Sequence, residues 1–478
     1  MMPVLAKLKY VALHALLSTT LLLTNSSLYS QEHKDETAYQ YPTDTLVRAK
    51  LTQWQNLKFG LFLHWGPYSQ RGIVESWTLS PEDYSHTKNN FTQRTGPDSA
   101  NYFAYTQAYE RLGQTFNPTR FTPKKWAAAA KAAGMKYMVF TTKHHDGFCM
   151  FDTKYTDYRI TNPSGAFAAN PRSNLTKEIF DAFRTANFMV GAYYSKPDWH
   201  SDDFWWRYFP PKDRNPNYDT LKHPERWKRF YDFTANQLNE LTTAYGKVDL
   251  LWFDGDWVKM NMMPIANKAR QHQPGLIIVE RHGNPQLTNY LTPEQKVPDH
   301  FIPVPWETCM TMGESWSYKV NEHYKSARQL IQTLIDIVAK NGNLLLNIGP
   351  GPDGEWHEEA YQRLNEIAAW MKNNGQAIFD TKPLSPYRAG KWAFTQNQQS
   401  LFAFYLPEEN ENTLPARIVL PSFALPAGSA VSICGTTKPL SLSQNDEGTA
   451  LIIPQTLRQQ LAGQPAWVFK IEVPKKTK

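Results

Sequence analysis

Polar and aromatic side chains follow five short apolar runs of this sequence, at the point where each run ends. An imidazole, a carboxylate or a guanidinium stands at four of these positions, beside a tryptophan at two of them, and the fifth is a pair of tyrosines. The positions are His64–Trp65, Lys143–Asp146, Tyr193–Tyr194, Trp252–Asp256 and Glu280–His282. Brought to one place, such groups would bind either a polyhydroxylated ligand or a metal ion.

The spacing of the imidazoles argues against a metal ion. His144 and His145 are adjacent, and neighbouring side chains of a strand point to opposite faces. No third His or Cys stands at an interval usual for a ligand, and the chain has no GxSxG nucleophile elbow. We therefore predict neither a metal nor a cofactor. The imidazoles would hydrogen-bond to ligand hydroxyls, with one of the pair packing behind its strand as the alternative.

The carboxylate of Asp254 is a better candidate for chemistry. It follows the apolar run Leu250–Phe253, and Gly255 after it lets the chain turn and a ligand approach closely. A carboxylate in this position could attack a sugar's anomeric carbon, while a second one about 5–5.5 Å away protonates the leaving oxygen. The alternative, in which Asp254 only caps a loop, is disfavoured by the aromatic and imidazole side chains expected around it.

Alternating strands and helices would position these groups. Between residues 48 and 383, short apolar runs alternate with amphipathic stretches, which is typical of βαβ units and a parallel sheet. Seven or eight such units favour an α/β fold of the (β/α)8-barrel type, in which the carboxyl ends of the strands meet at one face. From 384 to 478, short strands separated by turn-forming residues predict a C-terminal all-β sandwich.

Composition excludes several classes of protein. With 41% hydrophobic and 20% charged residues the chain is not intrinsically disordered. Aromatic residues reach 14%, enough to line a sugar-binding cleft as well as fill a core. The net charge of +7 is scattered along the chain, so we expect no nucleic-acid partner. Three widely spaced cysteines cannot build a disulfide framework.

The first 30 residues have the pattern of a secretory signal peptide. Lys7 and Lys9 precede the apolar stretch Tyr10–Leu23, and a polar stretch with a cleavage position after Ser30 follows. The apolar stretch is shorter than the roughly 20 residues that span a bilayer. We predict an exported bacterial protein, periplasmic or secreted, without a membrane partner after cleavage. Residues 31–47 would form a polar lead-in to the barrel.

Six segments together resemble a known family. They are Phe59–Gly66, Thr142–Phe148, Tyr193–Ser195, Trp252–Gly255, Trp306–Thr311 and Asn343–Pro350. In this order they resemble the barrel of the α-L-fucosidases of glycoside hydrolase family 29. The resemblance implies an exo-acting, retaining enzyme that hydrolyses terminal α-L-fucose from oligosaccharides, glycans or polysaccharides.

The resemblance also implies roles for individual residues. Asp254 would be the nucleophile, Trp316 would pack on the methyl group of fucose, and Trp77 would bind ring hydroxyls together with Glu75. One residue, Ser76, separates that Glu–Trp pair, which is adjacent in the family. The residues expected around the sugar are His64, His144, His145, Tyr194, Trp252 and Arg281.

The acid/base residue has several candidates because the loop that carries it varies within the family. Glu294 lies between prolines in a segment that resembles this loop, and it is the residue we predict. Glu307 begins a strand and could be a buried structural carboxylate. Glu280 ends an apolar strand, and Glu314 is the remaining candidate.

Two other functions compete with fucose hydrolysis. The changed Glu75–Trp77 stretch would suit a related exo-glycosidase that also accepts galactose. A carbohydrate-binding protein on a decayed enzyme scaffold is the second alternative. It is disfavoured because Asp254 and several acid candidates remain.

Overall fold

A parallel sheet and two antiparallel sheets make up the fold in the computed structural model. It describes residues 36–80, 94, 96–281, 283–421, 425, 428–445 and 448–473. The predicted signal peptide and the first residues of the lead-in lie outside these ranges. Among the described residues, no helix is both long and apolar enough to cross a bilayer.

Seven parallel strands form the wall of a barrel in the spatial order β5-β4-β3-β2-β1-β7-β6. They are β1 Phe59–Leu63, β2 Tyr137–Lys143, β3 Met189–Ser195, β4 Leu250–Asp254, β5 Ile277–Glu280, β6 Trp306–Thr311 and β7 Gly342–Asn347. Nearly every residue of these strands is buried, as expected when helices cover the outer face of a parallel sheet. The predicted barrel architecture is confirmed.

Helices connect and surround the strands. They are α1 Thr45–Leu57, α2 Tyr102–Glu110, α3 Leu112–Thr115, α4 Pro123–Ala132, α5 Leu175–Thr185, α6 Pro224–Thr243, α7 Met263–His272, α8 Ala327–Ala339 and α9 Glu358–Asn374. Proline begins α4 and α6, where its missing N–H costs nothing. Ser326 and Gln329 form a capping box at the start of α8.

An irregular segment, residues 289–295, stands between β5 and β6 where an eighth strand is expected. The amide of Asn289 donates to β5 at 2.8 Å, and the amide of Gln295 donates to β6 at 2.9 Å. The carbonyl of Leu291 accepts from β6 at 2.9 Å. These bonds tie the segment to both neighbouring strands. They also fix the backbone on either side of Glu294.

Side chains alternate across the barrel wall and fill its interior. The interior cluster contains Phe62, Tyr137, Val139, Tyr193, Leu250, Trp252, Ile277, Val279, Cys309 and Leu345. Trp54 of α1 closes the amino-terminal end, where it stacks on Tyr290 with ring centroids 4.1 Å apart. With that end packed, a ligand can enter only from the carboxyl ends of the strands.

The C-terminal region is an all-β sandwich, as predicted. One sheet has the order β12-β15-β10-β9-β8 and the other β11-β14-β13, and apolar side chains of both form a separate core. The elements are β8 Lys382–Ala389, β9 Trp392–Gln396, β10 Ser400–Tyr405, β11 Arg417–Leu420, β12 Ala430–Ile433, β13 Ser441–Asn445, β14 Gly448–Ile452, a short helix α10 Gln455–Gln460 and β15 Trp467–Glu472. The predicted division at residue 384 stays a prediction.

Candidate active site

A cavity opens at the carboxyl ends of the barrel strands. It is lined by Phe62, His64, Glu75, Trp77, His144, His145, Tyr193, Trp252, Asp254, Arg281, Glu294, Cys309 and Trp316. Every site residue predicted from the sequence lies in this lining except Tyr194. Phe62, Tyr193 and Cys309 line it as well, although the sequence analysis did not select them.

Asp254 ends β4 inside the cavity and is held by several donors. Its Oδ2 accepts from the Tyr193 hydroxyl at 2.7 Å, and its Oδ1 accepts from the Gly255 amide at 2.8 Å. The Arg281 guanidinium lies 3.2 Å from the same Oδ1. Burial alone would raise the pKa of Asp254, but Arg281 and these hydrogen bonds outweigh it and hold the pKa well below its usual range. The carboxylate is therefore ionised.

Arg281 connects Asp254 to the second carboxylate of the cavity. One of its guanidinium nitrogens contacts Asp254, and Nη1 donates to Oε2 of Glu294. Gln295, the next residue, has a φ of 55°, which is strained for a residue with a side chain. Its amide side chain bonds to both the hydroxyl and the main-chain amide of Thr311 at 3.2 Å. This clamp to β6 holds the turn that directs Glu294 into the cavity.

Glu75 is a third carboxyl group in the lining, and its environment is the opposite of that of Asp254. The side chain is 1% exposed, and Oε1 has no hydrogen-bond partner within the described residues. Burial, with the nearby charges of Glu294 and Asp254, raises the pKa of Glu75 to about 8. The group is therefore protonated at neutral pH. A protonated carboxyl can donate a hydrogen bond to a ligand hydroxyl.

His64 is fixed in one tautomer by its neighbour on β7. Asn347 donates its amide Nδ2–H to the main-chain oxygen of Trp316 at 2.6 Å, so its Oδ1 faces His64. Nδ1 of His64 lies 2.7 Å from that oxygen and donates to it. Burial lowers the pKa of His64 to about 4, so the ring is neutral. Its other nitrogen, Nε2, is left as an acceptor.

His144 and His145 both line the cavity, with ring centroids 4.3 Å apart. The alternation expected of strand neighbours does not apply, because β2 ends at Lys143 after a shift in its register with β3. Burial lowers the pKa of His144 well below its usual range and that of His145 to about 3. Both rings are neutral. Among the described residues, no group of three His, Cys, Asp or Glu side chains is arranged to hold a metal ion.

A hydrogen-bond chain connects His145 to Asp254. The Tyr193 hydroxyl donates to Asp254 and therefore accepts from Ser195 Oγ, 3.1 Å away. Ser195 Oγ in turn accepts from Nδ1 of His145 at 2.7 Å. Ser76 holds the neighbouring ring, with its Oγ 2.6 Å from Nδ1 of His144.

The structure places Tyr194 outside the cavity, contrary to the prediction. Tyr193 pairs with Trp252 across the sheet, and Tyr194 pairs with Phe253. Since Trp252 and Asp254 point inward, Tyr193 does as well, and Tyr194 points outward. The Tyr194 hydroxyl donates to Gln237 of α6 at 2.7 Å. Its role is to join the barrel wall to a covering helix, and Tyr193 takes its place in the site.

Aromatic rings form the walls of the cavity. Trp316 lies against His64 and Phe62, with ring centroids 5.0 and 6.1 Å apart. Trp77 stands edge-on to His145 at 5.1 Å on the other side. Such walls bind the apolar face of a ligand, while the imidazoles and carboxyl groups take its polar edge.

Comparisons with known proteins identify the family of this chain. The family model described as alpha-L-fucosidase matches residues 26–376. The chain belongs to the α-L-fucosidase family of glycoside hydrolases. An α-L-fucosidase of Branchiostoma floridae is 27% identical over 90% of this chain and 94% of that one. The plasma α-L-fucosidase of Homo sapiens is 25% identical over 90% and 91% of the two chains.

Solved structures of fucosidases share the fold. Isoenzyme 1 of Paenibacillus thiaminolyticus is 29% identical and covers 90% of this chain and all of its own, with a TM-score of 0.74. The Thermotoga maritima α-fucosidase in complex with fucose is 28% identical and covers 90% of this chain and all of its own, with a TM-score of 0.70.

The other glutamates considered for acid/base chemistry in this family member do not line the cavity. Glu307 is fully buried and accepts hydrogen bonds from Tyr137 at 2.7 Å and Tyr290 at 3.1 Å. Burial raises its pKa to about 7. Glu280 forms a buried ion pair with Lys196. Glu314 is half-exposed and lies 2.9 Å from Lys319.

The chain segment before the barrel contacts the segment that carries Glu294. The hydroxyl of Tyr39 donates to the main-chain oxygen of Asn289 at 2.7 Å. Glu36 lies 2.9 Å from Nε2 of His300. Residues 36–41 therefore act as a strap across residues 289–303, and nothing in the sequence pattern predicted this contact.

Proposed function

We propose that this family member is an exo-acting, retaining α-L-fucosidase. It would remove terminal α-L-fucose from glycans by double displacement, with Asp254 as nucleophile and Glu294 as acid/base. The observation that carries the proposal is the position of these two carboxylates on one guanidinium, that of Arg281, inside a cavity closed at its inner end.

The first step is the attack of Asp254 on the anomeric carbon. Its ionised state, maintained by Arg281 and the Tyr193 hydroxyl, supplies the nucleophile without prior loss of a proton. Glu294 protonates the glycosidic oxygen as the bond breaks. In the second step it accepts a proton from water, which then attacks the fucosyl–Asp254 ester. Two carboxylates that contact one guanidinium fit the separation of about 5–5.5 Å used by retaining enzymes.

The remaining side chains would hold the sugar. Nε2 of His64 accepts a hydrogen bond from one sugar hydroxyl, and the protonated Glu75 donates a hydrogen bond to a second. Trp316 covers the methyl group that distinguishes fucose from galactose. A cavity closed at its inner end accommodates a terminal sugar rather than an internal one, which supports exo action. The fucose-bound relative from Thermotoga maritima supports the same substrate.

Variants of the two carboxylates test the mechanism. Asp254→Gly should lose activity by several orders of magnitude, and azide should restore part of it. Glu294→Ala should lose hydrolysis of fucosyl-sugar bonds far more than of an aryl fucoside, whose phenolate leaves without a proton. With azide, Glu294→Ala should yield α-fucosyl azide, since azide attacks the β-linked fucosyl–enzyme intermediate from the opposite face.

Glu307→Ala is the matched control for Glu294→Ala. Its carboxyl group accepts hydrogen bonds from Tyr137 and Tyr290, so its loss should lower the stability of the protein. The rates of hydrolysis of the fucosyl-sugar and the aryl fucoside should fall by the same factor, and no fucosyl azide should form. Leaving-group dependence and α-fucosyl azide in Glu307→Ala, but not in Glu294→Ala, would contradict the assignment. Parallel assays with nitrophenyl fucoside and nitrophenyl galactoside measure the substrate preference.

We also propose that residues 1–30 direct export and are then removed. The plasma location in the name of one relative is compatible with export. N-terminal sequencing of the protein recovered from the periplasm or medium should begin at residue 31. Recovery of the uncleaved chain in the cytoplasm would contradict this proposal.

A further inference from the structure

Two aromatic side chains are exposed on the loop that follows β3, residues 196–223. Tyr208 is 84% exposed and Phe209 is 50% exposed. They are neighbours in sequence, and both surround Trp206, with ring centroids 6.1 and 5.3 Å from it. Together the two rings form a contiguous apolar patch, and such patches on a soluble protein can be binding sites.

The loop holds this pair in a fixed position. Asn217 accepts from the Trp206 amide at 2.7 Å and donates to the carbonyls of Trp206 and Phe209 at 2.9 and 2.6 Å. The guanidinium of Arg226 lies over the Trp206 ring at 4.2 Å, and Arg226 also bonds to Asp202 at 3.1 Å. An exposed pair on a loop anchored in this way is preorganised for binding.

Ring contacts lead from the catalytic cavity into the loop that carries this pair. Trp77 lines the cavity, and its ring is 5.5 Å from that of Trp199. Trp199 stacks on Trp205 at 5.1 Å, and Trp206 follows in the chain. The loop begins where β3 ends, at the face on which the cavity opens. The exposed pair therefore belongs to a loop that starts at this face and packs its inner tryptophans against the cavity wall.

We propose that Tyr208 and Phe209 form a platform for sugar rings on the leaving-group side of the cavity. The inference rests on the proposed function, because it assumes that a glycan extends outward from a fucose bound at Asp254. Sugars present flat apolar faces to aromatic rings. Arg207 precedes the pair in the chain, Lys212 follows it by three residues, and both are exposed, so this loop also offers donors to sugar hydroxyls.

The platform predicts a dependence on substrate length. Tyr208→Ala/Phe209→Ala should raise KM for long fucosylated oligosaccharides about tenfold, because two ring contacts are lost. Nitrophenyl fucoside occupies only the cavity and should keep its kcat and KM. Across a series of oligosaccharides of increasing length, the advantage of the unmodified enzyme should appear only when the chain reaches the loop.

Leu221→Ala is the matched control. Leu221 lies on the same loop and is 90% exposed, but its side chain has no ring. If sugar stacking is responsible, this variant should bind every substrate as the unmodified enzyme does. An equal rise of KM in Leu221→Ala would show a general apolar effect and overturn the proposal.

Two further outcomes would also overturn it. If the double variant leaves KM unchanged for every oligosaccharide, the platform proposal is wrong, while the proposed active site is unaffected. Light scattering that shows dimers of the unmodified protein and monomers of the double variant would assign the pair to an interface between copies. Failure of the unmodified protein to hydrolyse nitrophenyl fucoside would contradict the proposed function instead, so the two failures are distinguishable.

Discussion

Replacing Glu75 with glutamine should remove a pH-dependent loss of stability from this protein. The carboxyl group is almost fully buried, and its Oε1 lacks a hydrogen-bond partner within the described residues. Burial is the largest cause that raises its pKa from the usual 4.5 to about 8. The folded protein therefore resists ionisation of Glu75, whereas the unfolded chain does not.

The sign and size of the effect follow from proton linkage. The stabilising contribution of the protonated group is complete below pH 4.5 and is lost as the pH rises through about 8. Each pKa unit corresponds to about 1.4 kcal/mol, so the total loss across this range is roughly 5 kcal/mol. Glu75→Gln keeps a hydrogen-bond donor and acceptor but cannot ionise. Its advantage over the unmodified protein should therefore grow between pH 5 and pH 9.

Urea unfolding at a series of pH values measures this difference directly. Glu314→Gln serves as control, because Glu314 is half-exposed and its substitution leaves the buried group untouched. Activity gives a second readout: kcat/KM of the unmodified enzyme should fall above pH 8 as Glu75 loses its proton, and Glu75→Gln should lack that fall. Parallel stability profiles for Glu75→Gln and the unmodified protein would refute the reasoning.

Two further pairs of variants test the positions of the tyrosines. Tyr193→Phe should lower kcat/KM tenfold or more, because the Asp254 carboxylate loses a donor, whereas Tyr194→Phe should leave kcat/KM unchanged and lower the free energy of unfolding by about 1 kcal/mol. The reverse result for kcat/KM would contradict the register of β3. Tyr39→Phe removes the hydrogen bond from residues 36–41 to the segment that carries Glu294. It should lower the rate of hydrolysis of fucosyl-sugar substrates several-fold more than that of an aryl fucoside, because only the sugar leaving group needs the proton of Glu294. Tyr41→Phe should change the rate for neither substrate, because the Tyr41 hydroxyl is exposed and lies 3.5 Å from the Pro303 carbonyl, too far for a strong hydrogen bond.

The sequence predicted the parts of this fold that depend on local pattern. Strand ends are marked by the change from apolar to polar residues, and this placed His64 and Asp254 at the rim of the barrel. The same pattern could not decide between Tyr193 and Tyr194. Alternation says that one points inward, but only the pairing of β3 with β4 says which one. Once the register is known, counting back from Ser195, the partner of Asp254, selects Tyr193.

Features that depend on distant contacts were beyond the sequence. Proline-flanked Glu294 suggested a loop, yet its position depends on hydrogen bonds from residues 289–295 to β5 and β6. The strap formed by residues 36–41 also joins parts of the chain that are far apart in sequence. Such contacts leave no periodic pattern, because neither partner changes the local spacing of apolar residues.

Ser76 shows how an apparent departure from a family pattern can preserve the site. With Ser76 between them, Glu75 and Trp77 would point to the same side of an extended chain. Glu75 instead adopts a φ of 36°, and both Glu75 and Trp77 line the cavity. The hydroxyl of Ser76 faces His144 at 2.6 Å. The additional residue thus supplies the partner that orients an imidazole of the cavity, and the turn that accommodates it brings the buried carboxyl into the site.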